Sequence, residues 1–470
     1  MRILLAAGAV LLGGMGLVSI GFARRPEGPI DRGLRAALAL ALGIGTWSAS
    51  YAAALLAFGP RSAVAKDALL AIAGAAVLAW RRNAAGAPAS PTPVPRPEKK
   101  NSFLFSLWSV FAVAAVAAAG VFLQDTLRNP DGGYDAFQIW NLRARFLARG
   151  GEGFRAAFSP GMELWAHTDY PWLVPGVVSQ AFLLSGSESR LIPAAVAAAF
   201  ATLAVAIPSL TLARERGTRW GLLGGIALLT TPCFAVFSAH QESDVPLGVY
   251  LAAAAALLVL AQDDSHESRP LLLLAGFAAG LGAWTKNEGT LYAACLAVAL
   301  AIRSRSPRAV GWFVAGALPA GALVLAFKTA VAPPTDLVAF STASGVLSRA
   351  LDPWRWGQLA ALTVRRIVYF QDFAAWVAAE VLVLATVVRK LPGSAPGTAL
   401  FLACAAYAPI YVLQPHPLPW LYAHSVERIF IQLWPAAILA TLLPLARAAG
   451  EPPPGASSAS WPMERAQRAP

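Results

Sequence analysis

The chain has 470 residues, of which 57% are hydrophobic and only 13% are charged, and its formal net charge is +12. This composition excludes an ordinary soluble globule and favours a helical protein that crosses a membrane several times. In such a protein Lys and Arg collect in cytoplasmic loops, so the positive charge reports orientation first and gives little support to a nucleic-acid partner. The 3 cysteines lie in apolar segments without paired spacing, so we expect neither disulfides nor a thiolate metal site.

Apolar runs of about 20 residues recur along the chain, and this length is enough to span the hydrocarbon of a bilayer. They predict an all-α fold, a polytopic integral membrane protein with roughly 13 transmembrane helices and juxtamembrane amphipathic helices in its outer loops. The first run is long and is followed by Arg24 and Arg25, so we interpret it as a retained span rather than a secretion signal. The predicted crossings are 3–23, 34–58, 65–80, 103–124, 191–213, 218–238, 243–262, 270–284, 289–303, 310–332, 372–388, 397–414 and 429–447.

Composition divides the chain into four regions. Residues 1–80 are predicted to form an amino-terminal three-helix membrane module, and residues 81–102 a basic, Pro- and Ala-rich cytoplasmic linker. Residues 103–448 form the predicted transmembrane core, and the Pro- and Ser-rich tail 449–470 is predicted to be disordered.

Loop charge assigns an orientation to the core. With the basic linker inside, the span 103–124 leads outward. Strict alternation would then place the basic cluster at 214–219 outside, so we interpret 172–184 as a re-entrant or interfacial segment. With this choice the later basic loops lie inside, and unusual polar residues gather on the outer face. The outer segments are 131–170, 240–244, 285–288, 333–371 and 415–428.

The stretch 131–146, DGGYDAFQIWNLRARF, is the first place where the apolar helices give way to charge. A turn containing Gly132 and Gly133 brings Tyr134 and Asp135 to the membrane boundary. The residues after it predict an amphipathic helix lying on the bilayer. Its apolar face comprises Phe137, Trp140, Phe146 and Leu147. The side that faces water or a lipid headgroup comprises Gln138, Asn141, Arg143 and Arg145. For Asp131 a capping role is the better interpretation, and for Asp135 a chemical one.

The motif HTDYP places His167, Asp169 and Tyr170 where the loop meets the membrane again. These residues form either an interfacial belt before a helix that begins with a proline, or the lining of a groove for a lipid headgroup. The sequence leaves the two alternatives open.

The motif HQESD places His240, Glu242 and Asp244 in a short outward turn between two spans. The alternate spacing permits a metal site without being a strong metal motif. Asp244 could instead cap the helix that follows.

Lys286 and Glu288 lie between two short apolar runs. A charge at the centre of the hydrocarbon costs about 2.5–3.5 kcal/mol on insertion scales, so a cation this close to the membrane calls for a reason. Snorkelling of the lysine is one explanation. We prefer a second explanation, in which Lys286 binds a phosphate and Glu288 offsets part of the lysine's positive charge.

The last outer loop supplies His416, His424, Glu427 and Arg428 directly before a span. Arginine is suited to bidentate contact with a phosphate. The alternative is an ordinary surface pair between Arg428 and Glu427.

Taken in order, five local patterns resemble a GT-C type polytopic glycosyltransferase, similar to the bacterial relatives of the protein O-mannosyltransferases and of the lipid A aminoarabinose transferase. They lie between residues 103 and 447 and read GGYDAFQIWNLRARF, HTDYPWLVPG, SAHQESDVPLGVY, GLGAWTKNEG and HSVERIFIQLWP. The resemblance implies an enzyme of the bacterial inner membrane with its active site on the extracytoplasmic side. It would move a hexosyl or pentosyl group from a polyprenyl-phosphate donor to a glycan, lipid or protein acceptor.

The resemblance also implies roles for particular residues. The family's catalytic base in the first outer loop corresponds to Asp135, and a second acidic residue in the next outer loop corresponds to Asp244. A Lys–Gly-type motif corresponds to Lys286, although two residues intervene here before Gly289. No cofactor and no obligatory metal are expected.

The chemistry of a leaving phosphate suggests roles for three side chains of this expected site. Lys286 and Arg428 would balance the charge of the leaving lipid phosphate, and His424 would hydrogen-bond or protonate it. The predicted lining of the substrate groove is Tyr134, His167, Tyr170 and Glu288.

Two other classes of protein stay open at this point. A transporter or flippase for a lipid-linked or anionic envelope substrate would place charge in cavities at mid-membrane depth. A non-catalytic scaffold would not need Asp135, Asp244, Lys286 and Arg428 on one side of the membrane.

Overall fold

The computed structural model describes residues 2–22, 28–59, 63–84, 102–162, 166–261, 268–368 and 394–449. Within these ranges the protein is built from helices and contains no strand, which confirms the predicted all-helical class. The predicted crossing 372–388 and the tail from 450 onward lie outside the described residues.

The helices follow one another with short connections. They are α1 Arg2–Gly21, α2 Pro29–Phe58, α3 Ala63–Ala84, α4 Ser102–Arg128, α5 Asn141–Arg149, α6 Leu173–Ser185, α7 Leu191–Arg216, α8 Thr218–Leu229, α9 Pro232–Ala239, α10 Asp244–Leu260, α11 Ser268–Thr285, α12 Asn287–Ser304, α13 Pro307–Ala330, α14 Asp336–Ala339, α15 Ala343–Ala350, α16 Pro353–Val368, α17 Ala395–Leu413 and α18 Leu418–Ala448. A π-helical turn, Ala136–Trp140, precedes α5, and a 3₁₀ segment, Gly151–Phe158, follows it.

The predicted number of roughly 13 crossings is not confirmed. Among the described residues, 7 helices are long and apolar enough to cross a membrane, or 8 if α8 and α9, which meet at a 69° bend, form one broken span. The other predicted runs that the structure describes also form helices, but these are shorter or less apolar. The findings support a multi-pass membrane protein.

α10 lies at the centre of the bundle. Every residue from Asp244 to Leu260 is buried, and the helix packs against α7, α11 and α18. Because this helix is apolar on all sides except at its first residue, it fits only an interior position. The fold therefore places the Asp244 carboxylate inside the protein.

Close helix contacts in the bundle depend on glycine. A Cβ atom at Gly276 of α11 would lie 1.8 Å from the Phe313 carbonyl oxygen of α13, and one at Gly316 of α13 would lie 1.9 Å from that of Leu273. Small residues let two backbones approach in this way, which is the common means of packing helices in a membrane.

The amino-terminal helices pack onto the core through α2. The Ser48 hydroxyl donates to the Leu173 carbonyl at 2.7 Å, and the Tyr250 hydroxyl donates to the Ala41 carbonyl at 3.1 Å. A Cβ atom at Gly43 would lie 2.1 Å from the Val10 carbonyl oxygen, which brings α1 and α2 together. The predicted module boundary at residues 81–102 stays a prediction.

The predicted orientation of the helix within 131–146 is wrong in part. Trp140 and Leu147 are buried, as expected of the apolar face, but Asn141 and Arg143, assigned to water, are also buried. Their polar groups are satisfied inside the protein: the Arg143 guanidinium donates to the carbonyl oxygens of Ala166, His167 and Tyr170. The exposed apolar residues of this stretch are Phe137 and Phe146.

Candidate active site

Six ionisable side chains meet at the end of the bundle where α10 begins and α11 ends. We call them the ionic cluster: Asp135, Glu242, Asp244, Lys286, Glu288 and Arg428. They come from the turn before α5, the loop before α10, the start of α10, the junction of α11 with α12, and α18. Widely separated parts of the chain thus converge on one site.

Asp244 is the centre of the cluster. Its Oδ1 accepts hydrogen bonds from Lys286 Nζ at 2.9 Å and from Gln432 Nε2 at 2.5 Å. Its Oδ2 accepts from Arg428 Nε at 3.0 Å and from Arg428 Nη2 at 2.9 Å. The side chain is only 1% exposed, so this carboxylate is saturated by donors and shielded from solvent. A buried charge is tolerated when it is paired and hydrogen-bonded in this way.

Arg428 joins three carboxylates. Besides Asp244, its Nη1 donates to Asp135, and its Nη2 lies 3.3 Å from Glu242 Oε2. The Asp135 side chain remains 20% exposed, against 1% for Asp244. The Asp135 carboxylate is therefore partly open to solvent, whereas that of Asp244 is enclosed.

Lys286 occupies a break between two helices. α11 ends at Thr285, Lys286 is extended, and α12 starts at Asn287. The Lys286 ammonium lies 3.1 Å from Glu288 Oε1, while Glu288 Oε2 is buried without a hydrogen-bond partner among the described residues. A Cβ atom at Gly289 would lie 2.1 Å from the Gly282 carbonyl oxygen, so the tight junction requires glycine there. This junction turns the lysine into the cluster.

Two glycines bring the loop between α4 and the π-helical turn against the HQESD turn. Gly132 has a φ of 84°, which favours glycine, and a Cβ atom there would lie 2.6 Å from the His240 carbonyl oxygen. The Gly133 amide donates to that oxygen at 3.0 Å. Gln241 accepts from Asn141 Nδ2 at 2.8 Å. Asp135 and Glu242 are thereby held on either side of Arg428.

The HTDYP motif forms the wall beside Lys286. The Tyr170 ring stacks with His167, at 5.0 Å, and with Trp140, at 5.8 Å, and the Lys286 ammonium lies 5.6 Å from its centre. Asp169 is buried and accepts from Asn287 at 2.8 Å. It also pairs with Lys328 at 3.1 Å. These contacts tie the loop to α12 and α13.

The structure brings most of the predicted site residues together. Asp135, Asp244, Lys286, Glu288 and Arg428 belong to the ionic cluster, and Tyr170 and His167 stand next to it.

Two predicted residues take more external positions. Tyr134, beside Asp135, is 66% exposed. His424, one turn before Arg428, is exposed, and its Nδ1 lies 2.7 Å from the Trp420 carbonyl oxygen. The roles of all these residues remain predictions.

Burial alters the acidity of Glu242. Loss of solvent raises the pKa of its carboxyl to about 8, the Arg428 charge lowers it, and the neighbouring Asp244 and Asp135 carboxylates raise it. Glu242 is thus held neutral at pH 7 beside the arginine. Burial also lowers the pKa of the His240 imidazole.

Among the described residues, no group of three or more His, Cys, Asp or Glu side chains is arranged to hold a metal ion, and this includes the HQESD turn.

Three residues that support the site were not predicted from the sequence to act in catalysis or in substrate binding. Gln432 lies one turn after Arg428 in an apolar helix, where a buried amide is a signal of a polar partner. Lys328 lies in the last turn of α13, and Glu242 was considered from the sequence only as part of a possible metal site. No signal in the sequence pairs any of them with partners more than a hundred residues away.

One comparison bears on what the site is. Residues 169–331 match a protein-family model described as Dolichyl-phosphate-mannose-protein mannosyltransferase. The match covers Asp244 and Lys286, whereas Asp135 precedes it and Arg428 follows it. No curated protein and no solved structure matches the chain. The match covers about a third of the chain and agrees with the resemblance to GT-C type glycosyltransferases that the ordered motifs indicate.

Proposed function

We propose that the protein is a membrane glycosyltransferase that moves a sugar from a polyprenyl-phosphate donor to an acceptor on the extracytoplasmic face of a bacterial inner membrane. Asp135 is the general base. The acceptor is a glycan, lipid or protein hydroxyl. The matching family is described as acting with dolichyl-phosphate-mannose, which is a lipid-phosphate sugar, and this supports a donor of the same class.

One observation carries this proposal: a partly exposed carboxylate pairs with one of two cations that a buried carboxylate holds together. Asp135 pairs with Arg428, and both Arg428 and Lys286 are held by Asp244. A glycosyl transfer from a lipid phosphate needs a base for the acceptor and positive charge for the leaving group, and this pairing supports both.

The proposed step is balanced within the site. Asp135 takes the proton of the acceptor hydroxyl as its oxygen attacks the anomeric carbon. The bond from that carbon to the phosphate oxygen breaks, and the lipid phosphate leaves with the electron pair. Lys286 and Arg428 stabilise its negative charge, and His424 hydrogen-bonds it. The residues proposed to line the substrate groove are Tyr134, His167, Tyr170 and Glu288.

Arg428 already uses its guanidinium on carboxylates, so donor binding requires an exchange. A phosphate that pairs with Arg428 Nη1 displaces Asp135, whose carboxylate then becomes free to accept a proton. The neutral state of Glu242 at pH 7 assists this exchange, because it removes one negative charge from the neighbourhood of the phosphate.

The test is replacement of Asp135 by Asn, which keeps the shape and removes the basicity. General base catalysis contributes about a hundredfold to ten-thousandfold, so turnover of Asp135→Asn should fall by that order. Donor affinity should be at least that of the wild type, because no carboxylate then competes with the phosphate for Arg428. The measurement is turnover and donor binding of purified protein with a lipid-linked donor.

Two matched variants control this test. Asp131→Asn should keep wild-type turnover, because Asp131 contacts only the partly exposed Arg145 and Arg190 among its described ion pairs. Glu288→Gln removes the other cluster carboxylate that is 20% exposed. Loss of turnover in Glu288→Gln with wild-type turnover in Asp135→Asn would assign the base to Glu288.

A further inference from the structure

α16 turns its charged face toward the protein and its apolar face outward. The residues of its outer face, exposed in the structure, are Pro353, Trp354, Trp356, Gly357, Ala360, Ala361, Val364 and Arg365. The residues turned inward are Arg355, Gln358, Leu359, Leu362, Thr363 and Arg366. On the outer face the one charge is Arg365, near its edge. Trp354 is 75% exposed and Val364 is 61% exposed.

The inward charges are used to hold the ends of two spans. The Arg355 guanidinium donates to the carbonyl oxygens of Val412, at 3.1 Å, and Gln414, at 3.0 Å, where α17 ends. The Arg366 guanidinium pairs with Glu427 of α18. These contacts fix which side of α16 faces the protein.

This polarity is the reverse of that of a helix on the surface of a water-soluble protein. There the apolar stripe packs on the core and the charged residues face water. An outward apolar stripe with tryptophan at its end is favoured where the surroundings are the boundary of a bilayer.

The position of α16 along the chain agrees with such surroundings. The segment 331–368 follows α13, whose Leu318 and Leu325 are exposed apolar residues in a candidate span. Through Arg355 it contacts the carboxyl end of α17, a candidate span along which Phe401 and Ile410 are likewise exposed. α16 therefore follows one candidate span in the chain and contacts the end of another, and both spans expose apolar side chains.

We propose that α16 lies in the membrane–water boundary, with Trp354, Ala361 and Val364 inserted among the lipids of one leaflet. The leaflet is the one at the ionic cluster, because Arg366 pairs with Glu427, the neighbour of Arg428. Apolar area rather than charge drives this insertion, since Arg365 is the single charge on the outer face, so α16 enters zwitterionic and anionic bilayers alike. The helix anchors the segment of α18 that carries Arg428 to the membrane surface.

The experiment measures the surroundings of single spin labels. Cys233, Cys295 and Cys404 are replaced, and one cysteine is introduced at position 354 or 361 of the full chain in lipid nanodiscs. Collisions with oxygen, which concentrates in lipid, are compared with collisions with a water-soluble nickel chelate. A label at Val116, 74% exposed in the middle of α4, is the lipid control, and one at Ser187, in an exposed polar turn, is the water control.

Labels at 354 and 361 should show an oxygen-to-nickel ratio like that at 116 and several-fold above that at 187, in phosphatidylcholine and in phosphatidylglycerol nanodiscs. A ratio like that at 187 would place the face in water and overturn the proposal. Few collisions with either reagent would show that protein, either another segment of this chain or a partner, covers the face. That result would overturn the proposal as well, and insertion confined to phosphatidylglycerol would overturn the assignment to apolar area.

Discussion

At the scale of single residues, the position of Asp244 explains how two cations are kept next to each other in an apolar bundle. The ammonium of Lys286 and the guanidinium of Arg428 would repel one another and lose solvation without a buried carboxylate between them. Each Asp244 oxygen accepts from one of them, and Gln432 adds a neutral donor. The geometry favours Asp244 as a residue that positions the cations, since its exposure of 1% leaves no room for a substrate.

The raised pKa of Glu242 leads to a predicted pH dependence of donor binding. Its carboxyl, with a pKa raised to about 8 by burial, is neutral below that pH and gains a negative charge above it. A negative charge beside Arg428 opposes an incoming phosphate, so donor affinity should fall as the pH rises through about 8. The measurement is the dissociation constant of the donor between about pH 6.5 and 9.5.

Glu242→Gln is the control for this dependence, because it fixes the side chain in a neutral form of nearly the same shape. Its donor affinity should stay constant over the range in which the wild-type affinity falls. An equal fall in both proteins would mean that another group titrates.

The sequence predicted which ionisable residues lie together better than it predicted their contacts. Asp135, Asp244, Lys286 and Arg428 could be singled out because charge next to apolar runs is costly and so demands a reason. Their pairing could not be predicted, because it depends on helix packing that joins positions as distant as 135 and 428. The same limit applies to Gln432, whose partner is set by how α18 packs on α10.

At the scale of secondary structure elements, periodicity predicted helices well and their surroundings less well. The stretch 131–146 has the spacing of an amphipathic helix, yet Arg143 is buried because the carbonyl oxygens of residues 166–170 surround its guanidinium. A helical pattern shows which residues share a face, but a distant loop can make a polar face interior. α16 is a second example, because its charged face also packs on protein.

The short helix α6 leads to a prediction about topology. It has 13 residues, or a length of about 20 Å, whereas the hydrocarbon of a bilayer is about 30 Å thick. We expect that α6 does not cross and that α7 does. In a variant without native cysteines, a cysteine at Ser187 should react with a membrane-impermeant reagent from outside, and one at Glu215 only from inside. Labelling of position 187 from the cytoplasm alone would refute this topology.

At the scale of the whole molecule, composition predicts a separate amino-terminal module, whereas the structure shows that α2 makes direct contacts with the core. Residues of α2 contact α6 and α10 through the hydrogen bonds of Ser48 and of Tyr250. Trp172 packs edge-on against Tyr51, at 6.3 Å between ring centres, beside the loop that carries Tyr170. The first helices therefore lie behind one wall of the site, although the motifs of the site are all found after residue 102.

Cleavage within the predicted linker 81–102 tests how strongly residues 1–80 associate with the rest of the chain. With a protease site inserted there, the two pieces of the cleaved wild-type protein should stay together in detergent. Gly45→Ala should weaken their association, because the added Cβ would lie 2.6 Å from Leu281 Cδ1 and 2.8 Å from the Tyr250 hydroxyl. Both side chains are fully buried and that hydroxyl is hydrogen-bonded, so neither has room to shift. Such overpacking costs about 1–3 kcal/mol.

Gly33→Ala, in the same helix, is the matched control. Its added Cβ would lie at an ordinary 3.5 Å from Leu210, so the pieces should stay together. Both variants gain the same helix propensity, so a difference between them reports packing at Gly45. Separation of the cleaved wild-type protein would instead show that residues 1–80 form an independent module.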